Sequence, residues 1–164
     1  MNKIEVVFFI LFFSIFVIPF TASSQKLELE HELLFEMTAL LDEPIEIGDS
    51  PMGKRTIYPV SGGTFNGPEI KGKVLPNGGD WVIMIDSLTE KLDVRAVLET
   101  NEGEKIYTHY GGFIHWNTDG SYYFRTNPVF ETSSKKYGWL NYTIAVGVGE
   151  LIEGGVRYKV YKIK

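Results

Sequence analysis

The sequence predicts an all-β protein, a sandwich or a barrel. Three observations predict it. Short runs of alternating apolar and polar residues recur at roughly 8–12-residue spacing, the rhythm of strands joined by tight turns. Glycine (17 residues) and aromatic residues (14%) are both abundant, which suits short strands and sharp connections. From Gly48 onward no helical stripe interrupts the pattern, which argues against a parallel βαβ arrangement.

The N-terminus stands apart. Lys3 supplies a short positive region, Val6 to Phe20 is almost wholly apolar, and small residues follow at Ala22, Ser23 and Ser24. This is the layout of a secretory signal peptide over residues 1–24, with a cut expected between Ser24 and Gln25. A spanning helix needs roughly 20 apolar residues, and this run is interrupted by Pro19 and Thr21. The chain contains no cysteine, so a lipid-anchored precursor is excluded. The expectation is an exported protein, periplasmic or secreted, with residues 25–164 as one domain that does not span the membrane after cleavage.

The next segment is ambiguous. Leu29, Leu33, Leu34, Met37, Leu40 and Leu41 form a helical stripe, whereas Leu33, Phe35, Met37, Ala39 and Leu41 alternate as one strand face. Propensity alone favours helix. Strands are then expected at Arg55 to Val60, Glu69 to Leu75, Trp81 to Asp86 and Leu92 to Thr100. Pro76-Asn77-Gly78-Gly79 marks a turn, and Asn101-Glu102-Gly103-Glu104 a hairpin. Lys105 to Tyr110, Tyr122 to Asn127, Trp139 to Gly149 and Val156 to Ile163 complete the set. An outer-membrane barrel would need strands of about 9–11 residues with an apolar outer face. Most of these runs are shorter, and Lys71, Lys73, Arg95 and Lys159 fall within them.

Composition narrows the function. A chain of about 140 residues buries enough surface to fold without disulfides. The lack of cysteine removes thiol nucleophiles, thiolate metal sites and redox chemistry. A net charge of −5 argues against nucleic acid as a general partner.

Several motifs have two readings. The stretch Gly62 to Pro68 is glycine-rich but lacks the lysine and helix of a phosphate-binding loop, so close backbone approach is the better reading. His31, His109 and His115 show no metal-ligand spacing, and no Gly-x-Ser-x-Gly elbow is present. No metal and no cofactor are therefore expected. Asn141-Tyr142-Thr143 matches a glycosylation pattern but falls in an expected strand and is read as chance. Asp80-Trp81 opens a strand after a turn. Either the pair caps the turn and fills the core, or it walls a pocket and supplies a proton acceptor.

Other polar residues share strand faces: Asp93 with Arg95, Tyr123 with Arg125, Trp139 with Asn141, and Tyr107 on the return strand. If those faces point inward, Trp81, Tyr107, Tyr123, Arg125, Trp139 and Asn141 line a ligand cavity, with Asp80, Asp93 and Arg95 as catalytic candidates. If they point outward, they are a solvated wall. The sequence leaves both open.

Three segments carry a resemblance: Gly53-Lys54-Arg55, then Gly62-Gly63-Thr64-Phe65 with Gly67-Pro68, then Gly72, Val74-Leu75-Pro76 and Gly78-Gly79-Asp80-Trp81. Later segments add to it: Leu92-Asp93, Gly103 with Ile106, Gly111, Tyr122 to Thr126, Phe130-Glu131-Thr132 and Tyr137 with Trp139-Leu140-Asn141. Together they resemble an uncharacterised, largely bacterial family, domain of unknown function DUF3237, also called UPF0311. The resemblance spans Leu33 to Ile163. It implies a compact antiparallel β-barrel of about eight to nine strands, calycin-like or up-and-down. It also implies that Leu33 to Leu41 is the first strand, and it carries no catalytic residues. An export signal departs from a family whose members look mostly cytoplasmic.

Three functions follow. The first is an exported barrel that binds a small organic molecule. The second is a cofactor-independent isomerase, cyclase, lyase or hydrolase working in the lumen. The third is an envelope structural or assembly protein that self-associates as a homo-oligomer.

Overall fold

The structure is a computed structural model describing residues 28–164, so the expected signal peptide and its cut lie outside the described residues. Eleven strands build one sheet: β1 His31–Leu41, β2 Ile45–Ser50, β3 Gly53–Asn66, β4 Lys71–Val74, β5 Gly78–Met84, β6 Thr89–Thr100, β7 Lys105–Trp116, β8 Tyr122–Thr126, β9 Val129–Glu131, β10 Ala145–Ile152 and β11 Gly155–Ile163. All pairings are antiparallel. The sheet closes on itself through β3–β5–β6–β7–β8–β10–β11–β1 and back to β3.

Two walls are shared by broken strands. The long β3 pairs with β5 along Lys54 to Val60 and with β4 along Gly63 to Asn66. The break between β4 and β5 is the expected turn, where Asn77 takes a left-handed conformation (φ 74°). Likewise β7 pairs with β8 and then with β9. With β2 set aside as an edge strand on β3, counting each broken pair once gives an eight-walled barrel, within the expected range.

Burial shows which faces point in. On β6, Leu92, Val94, Ala96 and Leu98 are all buried, while Lys91, Asp93, Arg95 and Val97 turn outward. The inward row continues through Ile106 and Tyr110 of β7, Phe124 of β8, Tyr158 and Val160 of β11, and Phe35 and Met37 of β1. Burying one such aliphatic or aromatic side chain is worth about 1.5–3 kcal/mol, so the row outweighs local preference. That is why residues 31–41 form a strand despite their helical propensity: β1 pairs with both β3 and β11, and only a strand places Phe35, Met37 and Ala39 on one inner face.

Gly63 explains the glycine-rich stretch. It lies inside β3 with φ at 144°, and a Cβ there would collide with the Thr38 carbonyl of β1. The stretch is therefore a place of close strand approach.

Several elements differ from expectation. β3 runs past the expected Val60 to Asn66, β7 runs past the expected Tyr110 to Trp116, and β9 forms at Val129–Glu131, where the pattern predicts no strand. A short strand, β2, pairs with β3 before the anticipated strand begins. The run expected as a strand from Trp139 to Gly149 starts instead as a 3-10 turn, Gly138–Tyr142, and becomes β10 only at Ala145. The side chain of Asn141 causes this. Its Oδ1 accepts from the Thr132 amide (2.8 Å) and its Nδ2 donates to the Thr132 carbonyl (3.0 Å), so the amide imitates a strand neighbour and pins the turn. Leu140 is buried into the core beneath it.

Candidate functional site

The two ends of the barrel interior differ. At one end the rings of Phe35, Phe65 and Phe130 meet edge to face, with centroids 5.5 and 6.0 Å apart, and Leu98 and Ile106 fill the remaining space. At the other end the lumen opens into a cavity of about 550 Å³. That is within the range of small-molecule sites. Tyr110 and Tyr158 lie between the two. Their rings stand edge to face at 5.8 Å, and their hydroxyls are hydrogen-bonded to each other.

The open end is built strand by strand. Tyr58 and Val60 come from β3, Asp80 and Val82 from β5, Glu90, Leu92 and Val94 from β6. Ile114 and Trp116 come from β7 and Phe124 from β8. The β1–β2 connection, with Asp42 and Glu43, and the β10–β11 hairpin around Gly154 border the mouth. Most of this lining is apolar. Its polar groups are few and convergent.

Asp80 is the central one. The register sets it opposite Tyr58 on one side and Val94 on the other. The β5–β6 ladder is interrupted between the Asp80–Val94 and Ile83–Lys91 pairs, and the Asp93 amide in that gap donates to Asp80 Oδ1 (3.0 Å). Burial pushes the Asp80 carboxyl up to about 7. The Asp93 amide bond opposes the rise, and the negative charges of Asp93 and Glu90 add to it. A carboxyl that changes charge near neutrality can both give and take a proton.

Its neighbours are tuned the same way. Burial raises the Glu90 carboxyl, although the Trp116 indole N–H donates to it and pulls the other way. Burial raises the Tyr58 hydroxyl, helped by the charges of Glu90, Glu46 and Asp80. Tyr110 and Tyr158 are raised chiefly by burial, so both stay as neutral phenols and hydrogen-bond donors.

Of the residues singled out from the sequence, Asp80 alone lines this cavity. The polar strand faces point outward, and the remaining candidates do not meet in the lumen. Asp93 binds Arg95 (3.1 Å) and His109 (3.1 Å) on the outer wall. Partial burial raises its carboxyl, but the bonds from His109 and Arg95 prevail and hold it below the ordinary value. The Arg95 guanidinium lies over the Trp81 ring at 5.4 Å, also outside. Tyr107 sits between the inward Ile106 and Thr108 and so faces out. Arg125 lies over the Tyr123 ring at 4.9 Å and donates to the Phe124 carbonyl. Trp139 is covered by Lys162 at 5.1 Å, and Asn141 is spent on Thr132. The physical reason is uniform. An arginine inside a dry lumen needs a paired anion, whereas on the outer wall it stacks on an aromatic ring in contact with water.

Sequence reasoning passed over Tyr58, Glu90, Tyr110, Trp116 and Tyr158. A usable signal existed: Glu90 is in phase with Leu92, Val94 and Ala96, and Tyr58 with Val60. A polar residue in register with a buried aliphatic row is the informative exception.

Fold and site together define a closed antiparallel β-barrel whose lumen is packed at one end and carries a carboxyl-and-phenol cluster at the other. Known proteins share this architecture. A family model, "Protein of unknown function (DUF3237)", matches residues 29–163. A UPF0311 protein of Clostridium acetobutylicum is 34% identical over 150 residues, 83% of this chain and 95% of that protein. A β-barrel-like protein of Acinetobacter baumannii, known by crystal structure, superposes with a TM-score of 0.82 at 35% identity, covering 86% of this chain and 99% of its own. A more distant structure, an enzyme from Penicillium herquei, has a TM-score of 0.70 at 20% identity, covering 86% of this chain and 98% of its own, and shares the fold. The chain belongs to the DUF3237 (UPF0311) family of unknown function.

Proposed function

We propose that the protein binds a small, mostly apolar organic molecule in the open end of the barrel. One observation carries this reading: a cavity of about 550 Å³ with apolar walls and a convergent set of polar groups at Asp80, Glu90 and Tyr58. A volume of that size suits a metabolite, and a few fixed polar groups would orient it. The test is a thermal-shift screen of a metabolite collection, repeated on Val94→Phe, which narrows the lumen. Hits should lose their shift in that variant and keep it in Arg125→Ala on the outer wall. Hits indifferent to Val94→Phe would place the binding elsewhere.

Asp80 favours a second reading, proton-transfer catalysis without a cofactor. Its carboxyl titrates near 7 inside an apolar chamber, beside neutral phenols that could stabilise a developing oxyanion. In that case Asp80→Asn should abolish turnover of a bound substrate while leaving it bound. Unchanged turnover in the variant would exclude Asp80 as the base.

The N-terminal sequence further supports export, with residues 25–164 as the mature chain. N-terminal sequencing of protein recovered outside the cytoplasm should begin at Gln25.

A further inference from the structure

The charge of the lumen narrows the class of ligand. Four carboxyl side chains, Asp42, Glu43, Asp80 and Glu90, border the cavity. Among the described residues no lysine, arginine or histidine lines it. The cations stand outside, as Arg95 and Arg125 do over the Trp81 and Tyr123 rings. An anionic ligand would therefore meet like charge at the mouth and find no counter-charge within.

We propose that the lumen takes an organic cation, an apolar body bearing an amine or quaternary ammonium group seated against Asp80 and Glu90. This rests on the reading of the open end as a ligand cavity. Two features support it. Asp80 gives one oxygen to the Asp93 amide, and no side-chain donor among the described residues engages its carboxyl. Aromatic side chains of Tyr58, Tyr110, Trp116 and Tyr158 border the same space. Aromatic faces beside a carboxylate are the surroundings that hold ammonium groups.

A cation also suits the energetics of the two carboxyls. Two carboxyls share a poorly solvated chamber, and burial holds both above their ordinary values. An ammonium group would supply the charge that favours their ionised forms. A neutral ligand would leave both carboxyls without a counter-charge.

The test uses three probes with one skeleton: phenylbutyl-trimethylammonium, its uncharged tert-butyl isostere, and phenylbutyl sulfonate. Binding is followed by calorimetry on the mature chain. At pH 8 the cation should bind about tenfold more tightly than the isostere, the size of one retained ion pair. That preference should shrink several-fold at pH 6, as Asp80 takes up a proton. The groups facing Asp80 are Tyr58 from β3, Glu90 and Asp93 (its amide and its carboxylate) from β6, Tyr110 from β7 and Tyr158 from β11; Glu90, raised by burial, adds to the loss as it takes up a proton. Asp80→Asn should remove most of the preference while keeping the isostere bound, and Glu90→Gln should reduce it independently.

Equal or tighter binding of the isostere, or tighter binding of the sulfonate, would overturn the charge inference and leave the lumen reading intact. No binding of any probe at millimolar concentration, or binding indifferent to Val94→Phe, would overturn both.

Discussion

The two ends of the barrel are made from the same strands and behave as different materials. In the packed end, Phe35, Phe65, Leu98 and Ile106 are essentially inaccessible, and the residual void bordered by Phe35, Leu98 and Phe130 is about 10 Å³. In the open end the same strands β3, β6 and β7 contribute Tyr58, Glu90 and Trp116 around a cavity of about 550 Å³. The alternation that builds a core at one end continues into the other along β6 and β7, while in β3 a bulge between Val60 and Gly62 shifts the phase; polar residues take inward positions at the open end. A chain that sought only stability would have filled that space. On the proposed reading, the packed end supplies the fold and the open end the binding site, with the Tyr110–Tyr158 pair as the partition.

Substitutions can break or sharpen this contrast. The largest effect belongs to the packed end. Phe65→Ala removes a ring wedged against Phe35 and should cost about 3–5 kcal/mol, read from urea unfolding. Leu92→Ala in the cavity wall should cost less, about 2 kcal/mol, at the low end for such truncations, because an existing cavity already borders this buried side chain. Equal costs would mean that the open end is packed in solution.

Next in size is Asp80→Asn. Burial raises the native Asp80 carboxyl from 3.8 to about 7, so the native state holds the proton more tightly than the unfolded chain. Stability from this group is therefore lost as pH rises through that window, and the deficit is complete above it. The variant should be more stable than the parent at pH 8, by on the order of 2 kcal/mol, with the gap closing towards pH 4. A gap that widened as pH fell would reverse the sign and place Asp80 in an ion pair.

The smallest effect belongs to the outer wall. Asp93 is half-exposed between Arg95 and His109, and such pairs are worth about 0–1 kcal/mol. Asp93→Asn should change the unfolding midpoint little and leave probe binding as it was. A large loss of binding would mean that the β5–β6 gap, where the Asp93 amide holds Asp80, responds to the outer face.

The fold was largely legible in the sequence, because alternation reports inward and outward phases directly. Strands β6 and β11 lie close to where their patterns predict, and β7 begins where expected but runs six residues further. The exceptions are instructive. Residues 31–41 look helical locally and become a strand only through distant partners, nineteen or more residues away in β3 and farther in β11. The start of β10 is displaced because one amide, Asn141, binds Thr132 in both directions, which no periodicity announces.

The site was much less legible. Asp80 was singled out for its place after a turn, and it lines the cavity. Arg95, Tyr123 and Arg125 drew attention as a shared polar face, yet that face is the outer wall. The cavity's own groups, Glu90 and Tyr58, were hidden inside apolar rows. What closes a barrel is which row is more apolar, and Leu92, Val94, Ala96 and Leu98 settle that for β6 at the expense of the more chemically suggestive side.

The central claim is that Asp80 sits in a ligand chamber rather than on a wetted surface or in a sealed core. Carboxyl-carbon NMR titration of Asp80, with and without phenylbutyl-trimethylammonium, tests it most directly. The account predicts a midpoint near 7 in the free protein, falling when the ammonium probe is added. A midpoint at the ordinary aspartate value of about 4, unmoved by the probe, would contradict it.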